Sequence, residues 1–271
     1  MKKRILPKNY VRKLWRTAVE FKLLQPGDRV LVGFSGGKDS SFLLYALKIL
    51  QHNFPFSFEL GAIHVDMGFE KDSDPSPLEE FCRELGVPFH LQPSRIAQIV
   101  FRENNGQNPC SICAHLRRGI INDYAVKKDY NKVALAHHYD DAVETFLMSQ
   151  LYSGQLRTFS PKTYLDRTGL TVIRPLCYFR ESEIKGAFRF INYRPVASPC
   201  PLNGRTKRQE VKELIRSLLK KNKLVFDNLA SAMREGNHIE LWPSKLSREE
   251  MKKNYREFQS NHSPESDFSR E

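Results

Sequence analysis

The stretch Ser35-Gly36-Gly37-Lys38-Asp39-Ser40-Ser41 has the residue types and spacing of an anion cradle. It follows a short apolar, β-branched run (residues 30–34) and leads into a helical pattern (residues 41–50). Gly36 and Gly37 can take positive φ, so successive backbone N–H groups can point into one concavity. That concavity lies at a helix N-terminus, where unpaired donors and the macrodipole favour a negative group. Ser35, Ser40 and Ser41 add hydroxyls, Lys38 adds a positive charge, and Asp39 can hold a magnesium ion. The chemistry this points to is the binding of a nucleotide's phosphates. The spacing is neither that of Gly-x-x-x-x-Gly-Lys-Ser/Thr loops nor that of Gly-x-Gly-x-x-Gly turns.

A second chemical stretch is Cys110-Ser111-Ile112-Cys113-Ala114-His115-Leu116-Arg117-Arg118. A Cys-x-x-Cys puts two thiolates within reach of one metal, here at the expected start of a helix, which lowers thiol pKa values. Arg117 lies one helical turn after Cys113 and can steady a thiolate, a cluster sulfide or a phosphate. Two cysteines complete no metal site, so a third must come from elsewhere. Cys82, in a helical pattern, and Cys177, among large apolar residues, read as packed thiols. Cys200 lies in the proline-bounded loop Ser-Pro-Cys-Pro-Leu-Asn-Gly and is the remaining candidate. Cys110, Cys113 and Cys200 fit an iron–sulfur cluster with one open iron, or zinc with a fourth ligand, while the Cys-x-x-Cys alone fits a redox pair.

The third stretch is His137-His138-Tyr139-Asp140-Asp141-Ala142-Val143-Glu144-Thr145. Asp140 and Asp141 stand where a helix begins, so capping explains them. Beside a phosphate loop they can also bind magnesium or take a proton. His64 and His138 read as structural residues or adenine-side contacts.

These stretches must be positioned by a scaffold. Short apolar runs at residues 29–34, 58–65, 88–91, 132–136 and 171–174 alternate with helical patterns at 41–50, 77–85, 113–127 and 141–151. Strands alternating with helices predict an α/β fold with a doubly wound, mostly parallel sheet. Ligands of such sheets bind beyond the carboxyl ends of the strands, where the segments after the first, second and fourth strands would converge. The expected organisation is an N-terminal basic helix (1–27), a nucleotide-binding domain (28–180), a helical C-terminal region holding the third cysteine (181–243) and a charged, flexible tail (244–271). In the N-terminal helix, Tyr10, Leu14, Val19 and Phe21 are available for packing.

The 271 residues carry a net charge of +12, which points to a polyanionic partner. Phosphate contacts are expected from Lys2, Lys3, Arg4, Lys8, Arg12, Lys13 and Arg16, and from Arg205, Lys207, Arg208, Lys212 and Arg216. No apolar run approaches the roughly 20 residues a bilayer span needs, and residues 1–16 lack the apolar core of a signal peptide. The expectation is a cytoplasmic protein with no membrane partner, whose cysteines serve metal, catalysis or burial before disulfides.

Ser-Gly-Gly-Lys-Asp-Ser resembles the PP-loop of the ATP pyrophosphatase superfamily. With Cys-Ser-Ile-Cys and the following Leu-Arg-Arg-Gly, His-His-Tyr-Asp-Asp-Ala-Val-Glu-Thr-Phe, Val172-Ile173-Arg174-Pro175-Leu176, Arg180-Glu181, the Pro199-Cys200 loop and Ser231-Ala232-Met233, the chain resembles the tRNA-cytidine(32) 2-sulfurtransferases. The resemblance implies ATP with Mg2+, a 4Fe-4S cluster held by Cys110, Cys113 and Cys200, and tRNA as substrate. ATP would adenylate a base oxygen, and sulfur would replace it. Lys38, Asp39 and Asp141 are then the catalytic candidates, and residues 35–41 with Arg117 the cofactor contacts. A sulfur donor is also implied, with a cysteine desulfurase as candidate, and a homodimer is a candidate assembly. Asn203 stands where the family's late loop has a further cysteine, which leaves Cys200 as that loop's ligand. The segment Asp66-Met67-Gly68-Phe69 is more similar to the related 2-thiouridine enzymes, although the zinc-binding Cys/His pairs of those enzymes are missing. Lysidine synthetase, a small-molecule PP-loop enzyme and a zinc-stabilised RNA-binding module are the rival readings. The first needs no cysteines, the basic charge weighs only mildly against the second, from which tRNA binding would discriminate, and the third leaves the PP-loop without a role.

Overall fold

The computed structural model describes residues 6–69, 74–103, 109–197, 199–202, 204, 206–236 and 241–262. Lys2, Lys3, Arg4, Asn203, Arg205 and the tail from residue 263 lie outside the described residues.

The middle three residues of β1 (Arg29–Gly33) are all buried, as a strand covered on both faces requires. It pairs in parallel with β2 (Glu59–Asp66) on one side and with β4 (Lys132–Ala134) on the other. β3 (Phe89–Pro93) extends the sheet beyond β2. Beyond β4, β6 (Leu170–Ile173) is parallel and β5 (Lys162–Leu165) antiparallel to it. The order is β3-β2-β1-β4-β6-β5, the doubly wound, mostly parallel sheet expected from the strand–helix alternation. The chain leaves β1 in one direction and returns at β4 in the other, and this reversal opens a crevice beyond their carboxyl ends. β5 was not expected. Its Lys-Thr-Tyr-Leu run has no fully buried residue, because an edge strand needs little apolar content.

The helices in chain order are α1 (Lys8–Glu20), α2 (Lys38–Asn53), α3 (Ser76–Leu85), the short α4 (Ile96–Gln98), α5 (Pro109–Lys127), α6 (Tyr139–Ser153), α7 (Glu181–Ala187), α8 (Lys207–Lys221), α9 (Val225–Ala232) and α10 (Arg248–His262). Alternate residues of β1 point to opposite layers. Val30 and Val32 join a core with Leu14 of α1 and Phe42 of α2, whereas Leu31 joins a second core with Ile121 and Ala125 of α5. A third, smaller core joins Val143 of α6 to Val211 and Ile215 of α8 and Phe226 and Ala230 of α9. α1 buries Tyr10, Leu14, Thr17 and Ala18, the helical i, i+4, i+7, i+8 stripe. Val19 falls off that stripe and is 62% exposed, contrary to its expected packing role.

Residues 1–233 form one compact unit and residues 234–271 a second. In the second, α10 starts with a capping box. The Glu250 N–H donates to Ser247 Oγ at 3.2 Å, and the Ser247 N–H donates to the Glu250 carboxylate at 2.7 Å.

At the amino end of the sheet, Lys132 and Asp28 are both buried, with Nζ 2.6 Å from the carboxylate. Lys132 also donates to the Leu23 carbonyl, and Asp28 accepts the Gln25 N–H and the Asn131 amide. Lys132→Met is expected to leave an uncompensated buried carboxylate and to destabilise the protein by about 3–5 kcal/mol, measurable by urea unfolding.

Candidate functional site

The phosphate loop closes as its glycines allow. Gly36 sits at φ 78°, and a Cβ there would meet Leu78 at 3.3 Å, so both backbone and space favour glycine. Gly37 is the N-terminal flank of α2, and Lys38, Asp39, Ser40 and Ser41 form its first turn. The Ser40 hydroxyl donates to the Gly37 carbonyl at 3.1 Å and accepts the Ser35 N–H at 3.1 Å, while the Ser41 hydroxyl donates to Gly37 at 2.9 Å. Ser40 and Ser41 are buried and hold the loop's shape, and Ser35 is exposed at its mouth. The carbonyl of Gly36 accepts two bonds from the distant segment before Cys200: Tyr193 Oη at 3.1 Å and the Val196 N–H at 3.0 Å.

A cavity of about 400 Å³ lies beyond β1 and β4, and its lining includes Lys38, Asp39, Asp141, Cys110 and Cys200. The two adjacent aspartates divide their work. Asp140 turns away, where it takes the Arg180 guanidinium at 3.1 Å and the Glu181 N–H at 2.7 Å. Asp141 faces the cavity and forms a capping box with His138. His138 is buried, with Nε2 3.5 Å from Asp141 and 3.9 Å from Asp39, so its ring lies between the two cavity carboxylates. His64 Nδ1 lies 2.9 Å from the Phe34 carbonyl, a structural contact beneath the loop.

α5 begins at Pro109, four residues before the expected start, because proline suits the first helical position. Cys110 therefore lies in its first turn and Cys113 at the start of the second. The helix terminus was expected to lower their pKa values, but Cys113 is raised, by burial first and then by the neighbouring Cys200 and Cys110, with Arg117 opposing. Cys113 thus lies close enough to Cys110 and Cys200 for their charge to bear on its thiol, and Cys110 and Cys200 line the cavity. Among the described residues no three His, Cys, Asp or Glu groups are placed to hold a single metal ion. Cys82 and Cys177 are buried, and burial pushes the Cys82 thiol up to about 12.

Several site residues carried little signal in the sequence. Glu181 lines the cavity and takes Lys38 at 3.2 Å and Lys212 at 2.6 Å, so Lys212, expected on RNA phosphates, is here an internal ion pair. Burial would raise the Glu181 pKa, but Lys212 and Lys38 hold it far below the carboxylate range. Burial would likewise lower the Lys38 pKa, yet Asp39 and Glu181 outweigh it and leave it raised. Glu144 is buried with a raised pKa, from desolvation and then from Asp141. Its i+3 spacing from Asp141 is the one cue that places it on the cavity face. Arg208 clamps both, 3.4 Å from Asp141 and 3.3 Å from Glu144. Of the other expected phosphate contacts, Lys13 pairs with Glu183, Arg16 with Glu20, and Lys207 lies over the Tyr152 ring. Lys8, Arg12 and Arg216 are exposed.

Behind the cavity, Arg174 Nε donates to His137 Nδ1 at 3.3 Å. Desolvation first, then Arg174, Arg208 and Arg117, push the His137 pKa down to about 4 against the opposing pull of Asp141. A folded-state value below the unfolded 6.5 means that the unfolded chain binds the proton first. Stability from this group is complete above pH 6.5 and is lost as pH falls toward about 4. The difference in unfolding free energy between the parent and His137→Gln is expected to shift by on the order of 2 kcal/mol between about pH 7.5 and about pH 4.5.

Comparison with known proteins adds to this geometry. The PP-loop domain family profile matches residues 8–215. A tRNA-cytidine(32) 2-sulfurtransferase of Citrifermentans bemidjiense is 37% identical over 221 residues, covering 80% of this chain and 86% of that protein. One from Anaeromyxobacter dehalogenans is 38% identical over 230 residues, covering 82% and 78%. Among solved structures, the U34-tRNA thiolase NcsA of Methanococcus maripaludis, with its 4Fe-4S cluster, superposes with a TM-score of 0.70 at 26% identity, covering 86% of this chain and 80% of that one.

Proposed function

The chain belongs to the PP-loop family and, within it, to the tRNA-cytidine(32) 2-sulfurtransferases, and from that membership we propose how its cavity carries out ATP-dependent thiolation of tRNA. The observation that carries the reading is that one cavity joins Lys38 and Asp39 of the phosphate loop to Cys110 and Cys200. Activation of an oxygen and delivery of sulfur must happen on the same base, so the two chemistries need a common space.

The loop N–H groups, Ser35 and Lys38 hold the phosphates of ATP, and Ser40 and Ser41 keep the loop in shape. The base oxygen at C2 of a cytidine attacks the α-phosphorus and pyrophosphate leaves. Asp39 and Asp141, on either side of the His138 ring, would hold Mg2+ against the phosphates. Arg208 keeps Asp141 facing the cavity. Cys110, Cys113 and Cys200 would hold a 4Fe-4S cluster, with Arg117 beside Cys113 to offset thiolate charge. When bound, the cluster supplies an iron with a free position that can carry sulfur. Sulfur replaces the activated oxygen, which departs with AMP. A base in an unpaired loop is the natural target, because it is already unstacked. Exposed Lys8, Arg12 and Arg216 contact tRNA phosphates, so affinity falls steeply with salt. A cysteine desulfurase supplies sulfur, the assembly is a homodimer, and the reaction takes place in the cytoplasm. No helix of the described residues is long and apolar enough to cross a membrane. The likeness to a U34-tRNA thiolase supports a 2-thiouridine product as a second reading.

The test is purification without oxygen, followed by iron, sulfide and zinc assays and analysis of tRNA nucleosides after reaction with ATP and a sulfide source. Iron and sulfide with 2-thiocytidine are expected. 2-Thiouridine would favour the second reading, and an iron-free protein that cannot be reconstituted would sink the cluster.

A further inference from the structure

Three lysines share one carboxylate in this cavity. Glu181, only 13% exposed, takes Lys38 and Lys185 on one oxygen, each at 3.2 Å, and Lys212 on the other at 2.6 Å. Lys38 is itself divided, with Asp39 at 2.7 Å. Within this cluster three ammonium groups face two carboxylates, a surplus of one positive charge, while Arg208 beside it is matched by Asp141 and Glu144. The Glu181 side chain is not needed to start α7. Asp140 accepts the Glu181 N–H at 2.7 Å, and Glu183 accepts the Arg180 N–H at 2.9 Å while pairing with Lys13. Its charge is therefore left for the lysines alone.

We propose that Glu181 is a positioning residue that competes with pyrophosphate for Lys38 and Lys212 and so sets how readily this product leaves. The proposal rests on the reading above, in which ATP loses pyrophosphate in this cavity. Pyrophosphate carries several negative charges, and without the Glu181 charge Lys212 would lose its carboxylate and Lys38 would keep only Asp39, so the site would retain the product and make its release the slow step. With Glu181 present, each lysine that lets go of the product has a carboxylate to return to. No bond is made or broken by this exchange, which is a swap of ion-pair partners. It also keeps both lysine stems aimed at the loop between turnovers.

The test is calorimetric titration of the full-length protein with inorganic pyrophosphate, together with steady-state turnover. Glu181→Gln is expected to bind pyrophosphate about tenfold more tightly, to lower kcat and to lower KM for ATP, the pattern of a strengthened ground state. Glu181→Asp keeps the charge and is expected to stay within about twofold of the parent. A purely structural role predicts a lower Tm with no gain in pyrophosphate affinity, and equal or weaker binding by Glu181→Gln overturns the proposal. Should that variant not fold, Lys185→Met leaves Glu181 leaning harder on Lys38, and several-fold weaker pyrophosphate binding is expected. Unchanged binding there also overturns it. A parent protein that binds neither ATP nor pyrophosphate would instead overturn the proposed function.

Discussion

Lys38→Met is expected to reduce thiolation by at least about a thousandfold, because the proposed mechanism sets this ammonium against the departing phosphates. The loss should fall on kcat and further still on kcat/KM for ATP, since the charge matters most as negative charge develops on the leaving group and also supports ATP before reaction. Methionine keeps most of the stem volume, so folding is expected to survive. Removing Lys38 also leaves Asp39 and Glu181 facing each other across the loop with one fewer cation between them. ATP binding is therefore expected to weaken as well, by roughly tenfold or more. The measurement is single-turnover formation of AMP in the presence of tRNA, beside equilibrium binding of a non-hydrolysable ATP analogue. Turnover within tenfold of the parent would remove Lys38 from the reaction.

Cys200→Ala is expected to abolish thiolation while leaving nucleotide binding within about twofold of the parent. The thiol is half-buried at the cavity and lies in a loop, away from the cores, so its loss opens no large void. Removing it also relieves part of the charge that raises Cys113, whose thiol should titrate at lower pH in the apo variant. Thiol alkylation as a function of pH checks this without any cluster present. If Cys200→Ala still forms thiolated nucleosides, this cysteine is not a ligand.

The sequence made the phosphate loop and the first cysteine pair legible because each is local: its residues are adjacent, and its geometry follows from one strand–helix turn or one helix start. The doubly wound sheet was legible because buried parallel strands are apolar runs separated by helices. β5 escaped because an edge strand needs no such run. The division between Asp140 and Asp141 could not be read, since capping and catalysis ask for the same residue type at the same place. What separates them is Arg180, distant in sequence and brought close only by folding. Glu181 was hidden for the same reason: its meaning is Lys38 and Lys212, contributed by two other helices. The raised pKa of Cys113 shows the limit of a helix-terminus argument, because desolvation and two neighbouring thiols outweigh a macrodipole whose effect fades within one turn.

The two bonds from Tyr193 and Val196 to the Gly36 carbonyl bear on how this enzyme can be taken apart or inherited. They make the phosphate loop and the segment of residues 193–196, which precedes Cys200, one mechanical piece, although the two are far apart along the chain. A chimera that joined this nucleotide-binding half to a relative's C-terminal half would have to match that seam, or its third cysteine would be set down in the wrong place. Recombination between relatives is thus expected to keep these segments together, and a split-protein version should regain activity only when both fragments come from the same parent.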